Sequence, residues 1–266
     1  MSTNAKSACD ALTVPPVRRV PPGHVLRWVR LGWRDFVRSG WPSYLHGLIV
    51  FVASVAIIEI TFLYWPLLPG AVSGFVFVGP ILATGLYALS RRLERGEVPR
   101  LQDAVSAWRR GSLCLFRFGL LLVLAGAAWV GMTVLLFGAF VDADVGRPVA
   151  FLRYVFVQNE LHFLLWAILG GLGAALVFGL TVVSVPLLLD RDVRTPTALL
   201  TSMRAVGENP VTMVLWALLI LVMTGISVLT LMLGFMVLYP LMGHASWHVY
   251  RDLVDADGLP VRDVEA

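Results

Sequence analysis

Three histidines near the ends of apolar stretches are the residues best suited to bind a metal ion or haem. His244 and His248 stand four residues apart, so a helix places both imidazoles on one face, and His46 begins another apolar stretch at the same expected membrane depth. Imidazoles at one level can bind haem or a divalent metal. The alternative, which we favour, is that these rings lie at the membrane interface and bond to backbone carbonyls or lipid phosphate. We therefore predict no cofactor and keep haem or a divalent metal as the alternative.

Glu59 is the one carboxylate inside a long apolar stretch. An ionisable residue in hydrocarbon is a functional candidate, as a proton relay or a cation ligand. A protonated glutamate that joins two helices by a hydrogen bond is an equal alternative. Glu59 is thus a candidate either for transport or for helix contact.

Motifs of the standard soluble enzyme classes do not occur. The sequence has no serine elbow, phosphate-binding glycine loop, paired-cysteine metal site or metalloprotease helix. We therefore favour a non-enzymatic protein.

The composition is that of a membrane protein. Of the 266 residues, 58% are hydrophobic and only 14% are charged, and the mean hydropathy is +0.80. Soluble domains have roughly 45–50% apolar and about 25% charged residues. Because apolar stretches recur along nearly the whole chain, we predict one all-α polytopic membrane domain.

Six apolar stretches are long enough to cross a bilayer, since about 20 apolar residues in a helix span the ~30 Å hydrocarbon core. They form three hairpins within a membrane domain of residues 26–253, and the last two come from one uncharged run that we divide near residues 225–230. Residues 1–25 are predicted to be a disordered cytoplasmic tail and residues 254–266 a short cytoplasmic tail. The predicted spans are residues 45–65, 71–89, 118–140, 161–189, 211–229 and 231–250.

Each even-numbered span contains a proline, at Pro80, Pro186 and Pro240. A proline inside a helix removes a backbone hydrogen bond and frees the carbonyl four residues earlier, so each of these helices is expected to bend. Three bends on equivalent helices of a weak threefold repeat could line a common cavity. Bends tolerated for packing are the simpler alternative, which we favour.

The basic residues predict the orientation. Nineteen of the 21 lie in segments that six crossings put on one side, against Arg147 and Arg153 on the other, so the positive-inside rule places both termini in the cytoplasm.

Two amphipathic helices are predicted on the cytoplasmic side, at residues 25–44 and 101–108. The apolar face of the first contains Leu26, Val29, Trp33 and Phe36/Val37, and arginines surround it. Such helices lie at the membrane surface and bind anionic lipid through basic side chains. The arginines expected to face lipid are Arg27, Arg30, Arg34, Arg38, Arg91, Arg92, Arg109, Arg110 and Arg251.

Several segments resemble the uncharacterised bacterial integral-membrane family called domain of unknown function 2189. They are LGWRDF at residues 31–36, Gly79-Pro80 with the span after it, Pro186 with the loop after it, and GHASWHVYR at residues 243–251. The resemblance extends from about Trp28 to Leu253 and implies a multi-span membrane protein without an established activity. Members are sometimes labelled cytochrome c oxidase subunit I, but a haem–copper oxidase core needs more histidines than the five present here.

Three functions are compatible with these features. We favour a non-enzymatic bacterial inner-membrane protein whose arginine-rich cytoplasmic faces contact anionic lipid, a protein partner or a second copy of the chain. The first alternative is a small transporter that uses Glu59 and the bent even-numbered helices. The second is a redox protein that binds haem or a metal. No nucleic-acid partner is expected, because the net charge is only +4 and the arginines lie beside apolar spans.

Overall fold

The computed structural model describes residues 14–63, 67–109, 113–140 and 160–262. These ranges are helical and contain no strand, which confirms the predicted all-α class. The helices described are α1 His24–Ser39, α2 Trp41–Leu63, α3 Leu68–Leu82, α4 Thr84–Glu94, α5 Leu101–Arg109, α6 Leu113–Phe140, α7 Glu160–Thr181, α8 Ser184–Asp190, α9 Thr195–Glu208, α10 Pro210–Leu229 and α11 Phe235–Leu253.

Four helical stretches in the described ranges are long and apolar enough to cross a membrane. The predicted second and sixth spans coincide instead with α3–α4 and with α11. The first of these is interrupted at Ala83, and the second carries polar side chains such as His244 and His248 in its C-terminal half. The four stretches are Trp41–Ile60, Leu115–Leu135, Leu164–Asp190 and Pro210–Leu229.

Two of the three prolines lie beside a helix interruption. α3 ends two residues after Pro80, and the carbonyl of Leu82 accepts a hydrogen bond of 2.9 Å from His46 Nε2. α8 begins two residues before Pro186, and at this interruption the hydroxyl of Ser202 accepts a hydrogen bond from the backbone N–H of Val183. Side chains of other helices therefore satisfy backbone groups that the interruptions leave without a helical partner.

Pro240 lies inside the continuous helix α11. The carbonyl that its ring leaves without a helical donor belongs to Met236 and faces α2 at Gly47. A Cβ atom at Gly47 would lie 2.2 Å from Met236 O. Only glycine therefore allows α2 and α11 to approach so closely at this point.

The turn between α10 and α11 comprises residues 230–234, while Gly225, at the start of the predicted turn, lies inside α10. Leu231 and Met232 have φ angles of 52° and 68°, in the left-handed region that side chains rarely adopt. A Cβ atom at Gly234 would lie 2.7 Å from Ser227 Cα, so the chain reverses tightly against the end of α10.

The core is concentrated at the end of the bundle where the C-terminal half of α11 packs against α1, α2 and α4. The largest side chains without exposed surface belong to this region and include Trp28, Phe36, Trp216, Trp247 and Tyr250. The outward faces of α2, α6, α7 and α10 instead expose leucine, isoleucine and valine, as expected for helices that contact lipid.

Residues 14–23 are not the disordered tail that we predicted; residues 1–13 lie outside the described ranges. The backbone N–H of Arg18 donates to Leu253 O at 2.7 Å, and the N–H of Asp255 donates to Pro16 O at 3.0 Å. The side chain of Asn209 accepts from the N–H of Val20 and donates to Arg18 O. This segment is ordered because its backbone groups find partners in the C-terminal part of the chain.

Candidate functional site

Helix α1 packs with one face along α11. A Cβ atom at Gly32 would lie 2.7 Å from the backbone nitrogen of Ala245, so the two helices are in close contact there. The buried face of α1 contains a carboxylate, Asp35, which is only 2% exposed. The apolar face that the sequence predicted is only partly buried, since Phe36 is buried but Leu26, Trp33 and Val37 are exposed.

Asp35 belongs to a network of five polar side chains beneath α1. Its carboxylate oxygen Oδ2 accepts hydrogen bonds from His248 Nε2 at 2.8 Å and from Ser90 Oγ at 2.9 Å. Ser90 Oγ also lies 2.8 Å from His244 Nδ1, and Ser43 Oγ lies 2.8 Å from His244 Nε2. The network therefore joins α1, α2, α4 and α11.

The directions of the hydrogen bonds in this network follow from Asp35. An ionised Asp35 can only accept, so Ser90 donates to it and is left to accept from His244 Nδ1–H. Ser43 then donates to Nε2 of a neutral His244. With this tautomer every hydrogen bond in the network has one donor and one acceptor.

The surroundings of Asp35 favour its ionised form. Burial alone would raise the pKa of the carboxyl, but the hydrogen bond and charge of His248 and the hydrogen bond from Ser90 outweigh it, so the pKa lies below its ordinary value. Arg34 Nε lies 3.7 Å from the other carboxylate oxygen. A charged Asp35 is thus stabilised beneath α1.

The network can hold and relay a proton, but its geometry is not that of a nucleophilic triad. In a triad the carboxylate orients the imidazole that activates the serine. Here Asp35 bonds to Ser90 and to the other histidine, and Ser43, Ser90 and His244 have no exposed surface. A substrate cannot reach either hydroxyl in this arrangement.

A second buried cluster surrounds Asp190 at the end of α8. Arg91 Nε lies 3.2 Å from Asp190 Oδ1, and both side chains are 8% exposed. Tyr250 donates to Asp190 Oδ2 at 2.8 Å, and Arg91 donates to the carbonyl of Arg262 at 2.7 Å. The prediction that Arg91 faces lipid is therefore wrong, because the guanidinium is held by a buried carboxylate and backbone carbonyls.

The other arginines predicted to face lipid differ in exposure. The four on α1 are exposed: Arg27, Arg30, Arg34 and Arg38. Arg92 is partly buried and paired with Asp103 at 3.2 Å, and Arg251 is partly buried and paired with Glu94 at 2.9 Å. The side chains of Arg109 and Arg110 lie outside the described part of the structure.

The three histidines proposed as metal ligands do not converge. His244 and His248 belong to one network, but each hydrogen-bonds there, and His46 bonds to Leu82 O. In the described ranges, no group of three His, Cys, Asp or Glu residues could hold a metal ion. Binding of haem or a metal by these histidines stays a prediction.

A cavity of about 160 Å³ lies between α3, α4, α7, α10 and α11. Pro80 lines it, but Pro186 and Pro240 do not. Glu59 does not line it either and is exposed on α2, near the C-terminal end of that helix. The cavity thus contains neither Glu59 nor two of the three prolines that the transporter hypothesis combined.

Residues 67–190 match the model of a known family. It is described as "Predicted integral membrane protein (DUF2189)". This match confirms the resemblance for the segment from α3 to α8, which contains Ser90, Arg91 and Asp190. Asp35 and the histidines of α11 lie outside the matched residues. No curated protein and no solved structure matches the chain.

The two carboxylates that organise these clusters were not among the residues singled out from the sequence. Asp35 shares a helix face with Gly32 and Ser39, away from the arginines, and this combination of a small residue and a lone acid was a usable signal. Asp190 ends an apolar stretch, where a charged residue is ordinary, so the sequence offered no comparable signal for it.

Proposed function

We propose that the chain is a non-enzymatic protein of the bacterial inner membrane that crosses it six times, with both termini in the cytoplasm. We further propose that α1 holds anionic lipid headgroups at that surface. The observation that carries this proposal is the exposed side of α1, which combines an apolar flank with a row of arginines.

Contacts between distant segments support the six crossings. The segment at residues 14–23 contacts residues 253–255. Arg91 pairs with Asp190 and donates to the carbonyl of Arg262, whose backbone N–H donates to the carbonyl of Asp190. The end of α4, the end of α8 and both terminal segments thus meet at one end of the bundle. Each of the three intervening helical hairpins must leave that end and return to it, which favours an even number of crossings between these segments.

The exposed side of α1 has the arrangement of an interfacial helix. Leu26, Trp33 and Val37 form its apolar flank, beside the exposed arginines. The ring centroid of Trp33 lies 5.5 Å from that of Phe36, which in turn lies 4.7 Å from that of Tyr44 at the start of α2. The apolar flank therefore adjoins the helix that is proposed to enter the bilayer, which supports a position of the arginines at headgroup level.

The charge of α1 is sufficient for a marked lipid preference. A basic side chain near an anionic membrane surface contributes about 1 kcal/mol. Arg30 and Arg38, for which the structure gives no ion pair, would then contribute about 2 kcal/mol, or roughly a thirtyfold preference for anionic over neutral lipid in this region. Screening by salt should weaken this preference, because the side chains are exposed.

A charge-reversal experiment tests the proposal. The variant Arg30→Glu/Arg38→Glu changes two exposed arginines of α1 for which the structure gives no ion pair. The control Arg100→Glu/Arg194→Glu makes the same change in net charge at exposed positions elsewhere at that end of the bundle. Both proteins are placed in nanodiscs of mixed neutral and anionic phospholipid, and the lipids retained on extraction into mild detergent are measured by native mass spectrometry.

We expect the α1 variant to lose bound anionic lipid while the control retains it, and high salt to reduce retention in the unchanged protein. Equal retention by both variants would contradict lipid binding by α1. A loss common to both variants would assign the effect to net charge rather than to this helix.

A further inference from the structure

The cavity between the helices exists because α10 is held at its two ends. Near its start, Trp216 is fully buried and packs edge-to-face on Trp28, with ring centroids 5.7 Å apart. At its other end, Ser227 is fully buried beneath the tight turn to α11. Between these points Ile220, Met223 and Thr224 line the cavity, and Ile220 and Met223 also pack against residues of the core.

The cavity lies where lipid can enter it. α7 and α10 both line it, and each packs more extensively on other helices than on the other of the two. Both have the length and composition of membrane spans, and Leu176 of α7 and Leu221 of α10 are exposed on their outward faces. The side of the cavity between these two helices is therefore the one that a lipid chain could reach from the hydrocarbon layer.

The lining is suited to an apolar ligand. Among the residues that the structure describes, no charged side chain lines the cavity. Four of its hydroxyl groups already donate to backbone carbonyls at 2.7 to 2.9 Å: Thr181, Ser227, Tyr239 and Ser246. A charged or strongly polar ligand would lose its hydration here without gaining matching partners.

The volume limits the size of the ligand. At about 160 Å³ the cavity is close to the size of an apolar cavity of about 150 Å³ that stays dry and takes up benzene. A ring of that size has six carbons, so a segment of roughly six carbons of an unbranched hydrocarbon chain has a comparable volume.

From this geometry we propose that the cavity is a binding site for a hydrocarbon chain of the acyl type, which enters from the bilayer between α7 and α10. The chain belongs either to a phospholipid or to a free fatty acid. The site is separate from the arginines of α1, which would hold headgroups at the cytoplasmic surface.

Photocrosslinking from the bilayer tests this proposal. The protein is reconstituted in liposomes that contain a trace of lipid with a diazirine at the end of its acyl chain. One sample carries the diazirine on phosphatidylcholine and another on free fatty acid. After irradiation, the labelled residues are identified by mass spectrometry of peptides, with the exposed residues of α6 as the reference for ordinary lipid contact.

Two tryptophan variants of α10 provide the comparison. Thr224→Trp fills the cavity from its wall, whereas Leu221→Trp adds the same side chain at a position that is 64% exposed to lipid. We expect labelling of Met223 and Met242 in the unchanged protein and in Leu221→Trp, and its loss in Thr224→Trp. Labelling by either reagent supports the proposal and identifies the source of the chain.

Labelling of Met223 and Met242 that persists in Thr224→Trp, or that neither reagent produces, would overturn the proposal. Because a tryptophan in α10 can impair folding, Val177→Phe fills the same space from the α7 wall and provides an independent variant. Each variant is compared only if it is monodisperse and retains its helical circular dichroism.

Discussion

Replacing Asp35 by asparagine should lower the free energy of unfolding by about 3 kcal/mol. The carboxylate is 2% exposed and accepts hydrogen bonds from His248 and Ser90. Hydrogen bonds to a charged group contribute about 1.5–3 kcal/mol, and removing one partner of a buried charged pair costs about 3–5 kcal/mol. Both bonds reach the same carboxylate oxygen, so an asparagine oxygen in its place can still accept them, and the loss of the charge puts the expected change near the lower end of that range.

Unfolding in mixed micelles of dodecyl maltoside and SDS measures this loss. The fluorescence of the buried tryptophans, which include Trp28 and Trp247 close to the network, reports the transition. Asp257→Asn is the matched control, because that side chain is 77% exposed and its change should stay within about 0.5 kcal/mol. If Asp35→Asn unfolds at the same SDS fraction as the control, Asp35 does not stabilise the contact between α1 and α11 as we argue.

The stability difference between the unchanged protein and Asp35→Asn should also depend on pH. The pKa of Asp35 is lower in the folded protein than its ordinary value, so its ionised form stabilises the fold above an ordinary aspartate pKa of about 3.9. That contribution is lost as the pH falls through the lowered folded pKa. The difference in stability between the unchanged protein and Asp35→Asn should therefore shrink as the pH falls below about 4. A difference that grows as the pH falls below about 4 would contradict the assignment of an ionised Asp35.

Three further predictions concern other contacts. Arg91→Met should destabilise the protein by about 1.5–3 kcal/mol in the same unfolding assay, because the buried carboxylate of Asp190 loses one of its two close arginines and keeps Arg191 at 3.0 Å, and an unchanged unfolding midpoint would contradict this role of Arg91. Gly47→Ala should cost about 1–3 kcal/mol through its clash with a carbonyl, whereas Gly225→Ala, with nothing near its Cβ, should change stability by no more than about 1 kcal/mol. Asn209→Ala should speed hydrogen exchange in residues 14–23, because it removes the side-chain hydrogen bonds to the backbone of Arg18 and Val20. Unchanged exchange would show that other contacts order this segment.

The helices of the membrane domain could be predicted because lipid imposes simple constraints. A run of about 20 apolar residues must satisfy its backbone internally, so α2, α6, α7 and α10 follow from length and composition. The prolines indicated which helices would be irregular. They did not predict where α3 and α7 end, because the interruptions depend on donors and acceptors from other helices, such as His46 and Ser202.

The burial of α1 could not be predicted from its own pattern. Periodicity identified an amphipathic helix and an apolar face, but a helix with two contact surfaces also buries residues outside that face. The partner of Asp35 is 213 positions away in the chain, so no local pattern shows that this acid has a buried partner. Asp190, the partner of Arg91, is also distant in the sequence. For this reason composition alone assigned Arg91 to the lipid surface.

The N-terminal segment was misjudged for a related reason. Prolines at positions 15, 16, 21 and 22 exclude regular helix, which suggested disorder. An extended segment can still be ordered when its backbone groups bond elsewhere, and here Asn209 and the chain after α11 supply the partners.

The depth of the two flanks of α1 in the membrane tests the central claim most directly. Cys9 and Cys114 are replaced by serine, and single cysteines at Leu26, Val37, Arg27 or Arg38 are labelled with an environment-sensitive fluorophore in sealed liposomes. If α1 lies at the interface, labels at Leu26 and Val37 are quenched by nitroxide-bearing lipid, and labels at Arg27 and Arg38 are quenched by iodide on the side that carries the termini. Equal quenching of all four labels by iodide, with none by the lipid quencher, would place α1 in water and contradict an interfacial role.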